Sequence, residues 1–128
     1  MRILVTGSRT WEDKHAIAQA LIEALRERTP KVGNMDFLTG DVTVVHGACP
    51  IGADRLADEW CKANFIEVEP HPAKWQEFGK RAGFLRNAEM VGLGADLCLA
   101  FIKDESRGAS MTARLCEEAG IPTRRFTL

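Results

Sequence analysis

Short runs of β-branched and aliphatic residues alternate with helix-patterned segments along the whole chain, and this alternation restricts the fold more than any other feature. Residues 2–6 read as a first buried strand. From 13 to 28, Ile17, Leu21, Ala24 and Leu25 recur at helical spacing. Pro30, Gly33, Asn34 and Gly40 then interrupt the periodicity, so 29–41 is expected to be a surface loop. A second strand over 42–46 leads into a helix with Ala53, Leu56, Ala57, Trp60, Cys61 and Asn64 on one stripe. Residues 65–69 form a third strand, ended by Pro70 and Pro72. The stretch 75–93 is helical in pattern, but Gly79 and Gly83 are poor helix formers, which predicts an irregular or split helix. Residues 96–102 are the fourth and most hydrophobic strand. A last helix over 109–119 has Gly120 at its C′ position and Pro122 beyond, and 121–126 is the fifth strand.

Such strict alternation implies a parallel sheet with helices on both faces. Right-handed crossovers make strand order 3-2-1-4-5 the simplest Rossmann-like, doubly wound α/β solution. The 128 residues can bury one core, and no repeat or linker divides them, so 1–128 is expected to be a single domain. A net charge of −1 supplies no global attraction to nucleic acid or an anionic membrane. No apolar run approaches the ~20 residues of a membrane span, and the chain turns polar too soon after Met1 for a signal peptide, so a cytoplasmic location is expected. Cys49, Cys61, Cys98 and Cys116 are scattered, with no C-x-x-C pair and no histidine at ligand spacing; no metal site is expected.

In a sheet of this order, ligands bind beyond the carboxyl ends of the strands, where the order reverses. That crevice falls between two loops, Gly7-Ser8-Arg9-Thr10-Trp11 and Lys103-Asp104-Glu105-Ser106-Arg107-Gly108-Ala109-Ser110. Both combine glycine, hydroxyl and arginine, and both lead into helices, whose N-termini present unpaired N–H groups and partial positive charge. The loop after the second strand, His46 with Gly47 through Gly52 and Asp54, has the same character. Glycine lets a phosphate approach the backbone, and arginine adds a bidentate fork.

Each residue also has a plainer use. Gly7 suits a tight strand-to-helix turn as well as a phosphate cradle. Thr10 with Asp13, and Ser106 or Ser110, can cap helices. Asp54 either complements a helix dipole or binds a ribose hydroxyl. Arg9 and Arg107, one in each facing loop, have a clear use if an anion lies between them. Arg86 can supply a further phosphate contact, and Asn87 carries the donor–acceptor pair to read a base or sugar; the alternative is a surface arginine beside a capping asparagine. Trp11 and Trp75 are either packing residues or stacking surfaces for a base. His46, at a strand end, suits a structural hydrogen bond better than catalysis.

The set Gly7-Ser8-Arg9-Thr10-Trp11, His46-Gly47 with Gly52-Ala53-Asp54, Ala82-Gly83 with Arg86-Asn87 and Met90, Ala100-Phe101, Ser106-Arg107-Gly108-Ala109, and Ala119-Gly120-Ile121-Pro122 resembles the YspA-type, cpYpsA-related SLOG family, found in bacteria and their phages. The resemblance runs over nearly the whole chain. It implies a Rossmann-like fold that binds nucleotides or nucleotide-derived signals, and homo-oligomers are common among relatives. The LOG branch cleaves the N-glycosidic bond of nucleoside monophosphates with a Gly-Gly-x-Gly-Thr loop and a glutamate two residues on; the DprA branch binds single-stranded DNA. Here Ser106-Arg107-Gly108-Ala109 replaces the LOG loop, and the glutamate's place falls near Thr112.

Three readings follow. The leading one is binding or sensing of a nucleotide, NAD or ADP-ribose-like ligand by Gly7, Ser8, Arg9, Gly47, Gly52, Asp54, Arg86, Asn87, Ser106, Arg107, Gly108 and Ser110. The second is an N-glycosidic hydrolase in which Asp54, or an acid of the last loop (Asp104 or Glu105), replaces the missing glutamate. The third, single-strand binding, needs a basic groove with exposed aromatics and conflicts with the charge balance. The expected partner is a nucleotide-type small molecule, in a homo-oligomer without nucleic acid, membrane or cofactor.

Overall fold

The computed structural model describes residues 1–28, 31–32, 35–36 and 42–128. Five strands make one wholly parallel sheet: β1 (Arg2–Gly7), β4 (Thr43–His46), β5 (Glu67–Pro70), β6 (Leu97–Ile102) and β7 (Thr123–Thr127). Their order is β5-β4-β1-β6-β7, the expected 3-2-1-4-5 arrangement. A two-residue antiparallel pair, β2 (Lys31–Val32) with β3 (Met35–Asp36), lies within the segment expected to be a loop. Pro30, Gly33, Asn34 and Gly40 lie outside the described residues.

Side chains alternate across β1 and β6, and each face is covered. Ile3, Val5, Leu97, Leu99 and Phe101 pack with α1 (Lys14–Arg28) and α2 (Ala53–Ala63) through Ile17, Leu21, Ala24, Ala57 and Cys61. Leu4, Val45 and Cys98 face the other way, onto Met90 of α4 (Ala82–Gly92) and Cys116 of α5 (Arg107–Glu118). Every residue of β6 is buried, as a central parallel strand covered on both faces requires. The α2 stripe ends one residue early: Asn64 is exposed, and its amide donates to the Trp60 carbonyl, closing the helix.

The irregular stretch splits at Gly79. α3 (Trp75–Phe78) ends there at φ +58°, a 3₁₀ turn spans Gly79–Arg81, and α4 then runs through Gly83 without a break. Left-handed backbone explains Gly79 but not Gly83, where a Cβ would stand 3.2 Å from the Trp75 ring and the ring would have to shift slightly.

Candidate functional site

The strand order reverses between β1 and β6, and there a cavity of about 500 Å³ opens at the carboxyl ends of the sheet. Its size is that of a small-molecule site. The loops after β1, β4 and β6 form part of its wall, and residues of α3, α4, the start of α2 and the first turns of α5 complete it.

The β1 loop is held by its own backbone. Ser8 N–H donates to the Phe101 carbonyl (2.9 Å), and the Ser8 carbonyl accepts from Trp11 and Ala53. The buried Ser8 hydroxyl accepts the Lys103 N–H at 2.8 Å and reaches the Lys103 carbonyl at 3.3 Å, tying β1 to β6. Gly7 is required by packing: a Cβ would collide with the Ala53 Cβ and stand 2.9 Å from the Phe101 carbonyl oxygen. Gly52, at φ +81°, leaves no room above the backbone of Ser8 and Arg9. These residues shape the loop and leave Arg9 and Thr10 exposed at the cavity. Asp13 caps α1 through the Ala16 N–H at 3.1 Å.

On the opposite side, Asp104 and Glu105 both adopt positive φ (53° and 51°), turning the chain sharply from β6 into α5. Ser106 stands at the N-cap of α5 but makes no side-chain cap hydrogen bond. The first-turn N–H groups of α5 have no intrahelical acceptor, and Ser106, Gly108 and Ala109 line the cavity at that end. The expected pair of facing arginines is not formed. Arg107 enters the helix on its exposed side, outside the lining, and Lys103 lines the cavity instead, its ammonium 3.4 Å from the Thr10 carbonyl. Ser110 and Glu105 also lie outside it; the Ser110 N–H closes the first turn onto the Ser106 carbonyl. Thr112, near the LOG glutamate's place, is fully buried, and its hydroxyl donates to the Gly108 carbonyl at 3.0 Å.

The third part comes from the β4 loop and α4. Arg86 donates through Nη1 to the Gly47 carbonyl and through Nε to Asn87 Oδ1 (2.6 Å). Burial lowers its pKa from the ordinary value, against the pull of Asp54. Asp54 is buried in the first turn of α2 and accepts the Cys49 N–H at 3.3 Å. Burial raises its pKa, and His46, the loop N–H groups and Arg86 offset this only in part. His46 is structural in geometry: Nδ1 accepts from the Ala48 N–H (3.0 Å), so Nε2 carries the proton that meets Asp58 at 2.7 Å.

Nine of the twelve ligand-binding candidates thus line one cavity: Gly7, Ser8, Arg9, Gly47, Asp54, Arg86, Asn87, Ser106 and Gly108. Gly52, Arg107 and Ser110 do not. Lys103 and Thr10 were not among the expected contacts, although each occupies a loop that leaves a central strand. Trp11 is core, 3% exposed and edge-on to Phe101, whereas Trp75 lines the cavity. Among the described residues no cluster of three or more histidine, cysteine or acidic side chains could hold a metal ion, and no helix is long and apolar enough to cross a membrane.

Residues 1–78 match the model of a family described as YspA, cpYpsA-related SLOG. The match takes in the β1 and β4 loops and stops before α4 and the β6 loop. The chain is also 41% identical to the Gene 61 protein of Mycobacterium phage D29, over 98% of this chain and 95% of that protein. No solved structure matches it significantly.

Proposed function

The chain belongs to the YspA, cpYpsA-related SLOG family, and on that premise we propose that it binds or senses a phosphate-bearing nucleotide-type ligand in the cavity between β1 and β6. One observation carries the reading: Arg9, Arg86 and Lys103 reach one cavity from three elements, beside the side-chain-uncapped N-terminus of α5. Against these three cations the lining sets two acids, Asp54 and Asp104, so positive charge remains in excess at the cavity and a negative ligand neutralises it. Phosphate lies on Gly108 and Ala109 of α5, between Arg9 and Lys103, while Asp54 and Asn87 meet the sugar. Titration calorimetry with AMP, ADP-ribose, NAD and pyrophosphate tests this. Sub-millimolar binding of at least one, weakened about tenfold or more in Arg9→Ala and in Lys103→Ala, is expected. Millimolar or weaker binding by wild type overturns it. The protein is expected to be a homo-oligomer, which light scattering checks.

One observation favours a second reading. Asp54 is a buried carboxyl with a raised pKa inside the cavity, the kind of group that assists N-glycosidic cleavage. Glu105 lies outside the lining whereas Asp104 is part of it, so Asp54 or Asp104 would replace the missing glutamate. Release of free base from a nucleoside monophosphate, lost in Asp54→Asn, supports hydrolysis; no release across the common nucleotides excludes it for them.

A further inference from the structure

The nucleotide reading accounts for the charged side of the cavity but not for the aromatic side. Trp11 is buried in the core and Trp60 packs against it, whereas Trp75 belongs to no core cluster and is 48% exposed. Phe84, on the first turn of α4, lines the same cavity and is 49% exposed. Neither ring has an aromatic partner among the described residues. Leaving two large rings half in water forgoes burial that the same side chains would gain in a core. Gly83 bears on this directly. The Trp75 ring passes over it, and a Cβ there would press on that ring at 3.2 Å, so the missing side chain lets the indole lie close along α4.

Polar groups near these rings offer little for reading a base. Asn87 is 8% exposed, and its Oδ1 already accepts from Arg86, which leaves its amide N–H groups as donors. An amide that can only donate discriminates weakly, whereas an aromatic face accepts any planar ring.

We propose that Trp75, supported by Phe84, is a stacking platform for the ligand's base. It makes recognition depend on an aromatic ring more than on the base's hydrogen-bonding edge. The proposal rests on the nucleotide reading above and adds the class of ligand: an aromatic base joined to sugar phosphate, purines held more tightly than pyrimidines. Phosphate sits toward Arg9 and Lys103, and the base toward α3 and α4.

The test compares AMP, CMP and ribose 5-phosphate, which share a sugar phosphate and differ in the base. Wild type is expected to bind AMP about ten- to hundredfold more tightly than ribose 5-phosphate, with CMP between them. Trp75→Ala loses that margin and retains its ribose 5-phosphate affinity, while Trp75→Phe keeps most of the margin. AMP is also expected to quench tryptophan fluorescence in wild type and not in Trp75→Phe, which retains Trp11 and Trp60. The Phe variant keeps the test valid if the Ala variant folds poorly. An unchanged AMP to ribose 5-phosphate ratio in Trp75→Ala overturns the platform and leaves the phosphate reading intact. Failure of wild type to bind any of the three overturns both.

Discussion

The guanidinium of Arg86 lies against the bare Cα of Gly47: its Nη1 donates to the Gly47 carbonyl, and a Cβ on Gly47 would stand 2.7 Å from that same nitrogen. Gly7 is equally crowded, but its neighbours are the Ala53 Cβ and the Phe101 backbone. The two glycines therefore predict different outcomes. In Gly47→Ala the flexible end of Arg86 moves aside, so nucleotide affinity falls about tenfold with a small change in stability. In Gly7→Ala neither neighbour can yield cheaply, and stability falls by about 1–3 kcal/mol. Calorimetry and urea denaturation on the two variants check the contrast.

Ser8 lines the cavity, yet its hydroxyl is occupied by the Lys103 backbone. Ser8→Ala leaves the part-buried Lys103 N–H without its acceptor and is expected to cost about 1 kcal/mol. If Ser8 bound phosphate directly, affinity would fall at unchanged stability, and that outcome would reverse the structural assignment.

Asp54, with Asp104, brings negative charge into a cavity that also holds the cations Arg9, Arg86 and Lys103. Asp54→Asn is expected to tighten pyrophosphate binding while weakening AMP, because the first ligand feels only the charge and the second loses a sugar contact. Burial holds the Asp54 pKa above its ordinary value of 3.8. The variant's advantage for pyrophosphate therefore grows as pH rises through that elevated pKa and vanishes below it. Titrations of both ligands at several pH values provide the measurement; equal changes for the two would refute the sugar contact.

Arg2 grips Glu69 with two hydrogen bonds (2.9 and 2.8 Å), and His71 adds a third at 2.7 Å. The Arg2 bonds, then His71, bring the Glu69 pKa from 4.5 down to about 2. A folded-state pKa below the unfolded value stabilises the protein above about pH 4.5, and that stability is lost as pH falls toward about 2. Glu69 is about one-third exposed, so solvent limits the contribution to about 1 kcal/mol or less. Glu69→Gln is expected to be less stable at neutral pH, the gap closing across that acid window. Denaturation midpoints from pH 7 to pH 2 decide it.

The sequence by itself determined the sheet. Strand-length apolar runs alternating with helical stripes allow few doubly wound arrangements, and the order β5-β4-β1-β6-β7 is the simplest of them. It also indicated where the site lies, because the switch point follows from that order. Which loop residues reach the cavity was decided only in three dimensions. Arg107 and Lys103 stand in the same loop, and two consecutive left-handed residues, Asp104 and Glu105, turn one outward and leave the other at the opening. Gly83 reads as a helix defect in the sequence and lies against the Trp75 ring in the fold, while the Ser8 hydroxyl, at the cavity, is joined to the Lys103 backbone. Periodicity records which face of an element is buried. The aim of a loop side chain depends on backbone angles and on neighbours distant in the chain, which no local pattern contains.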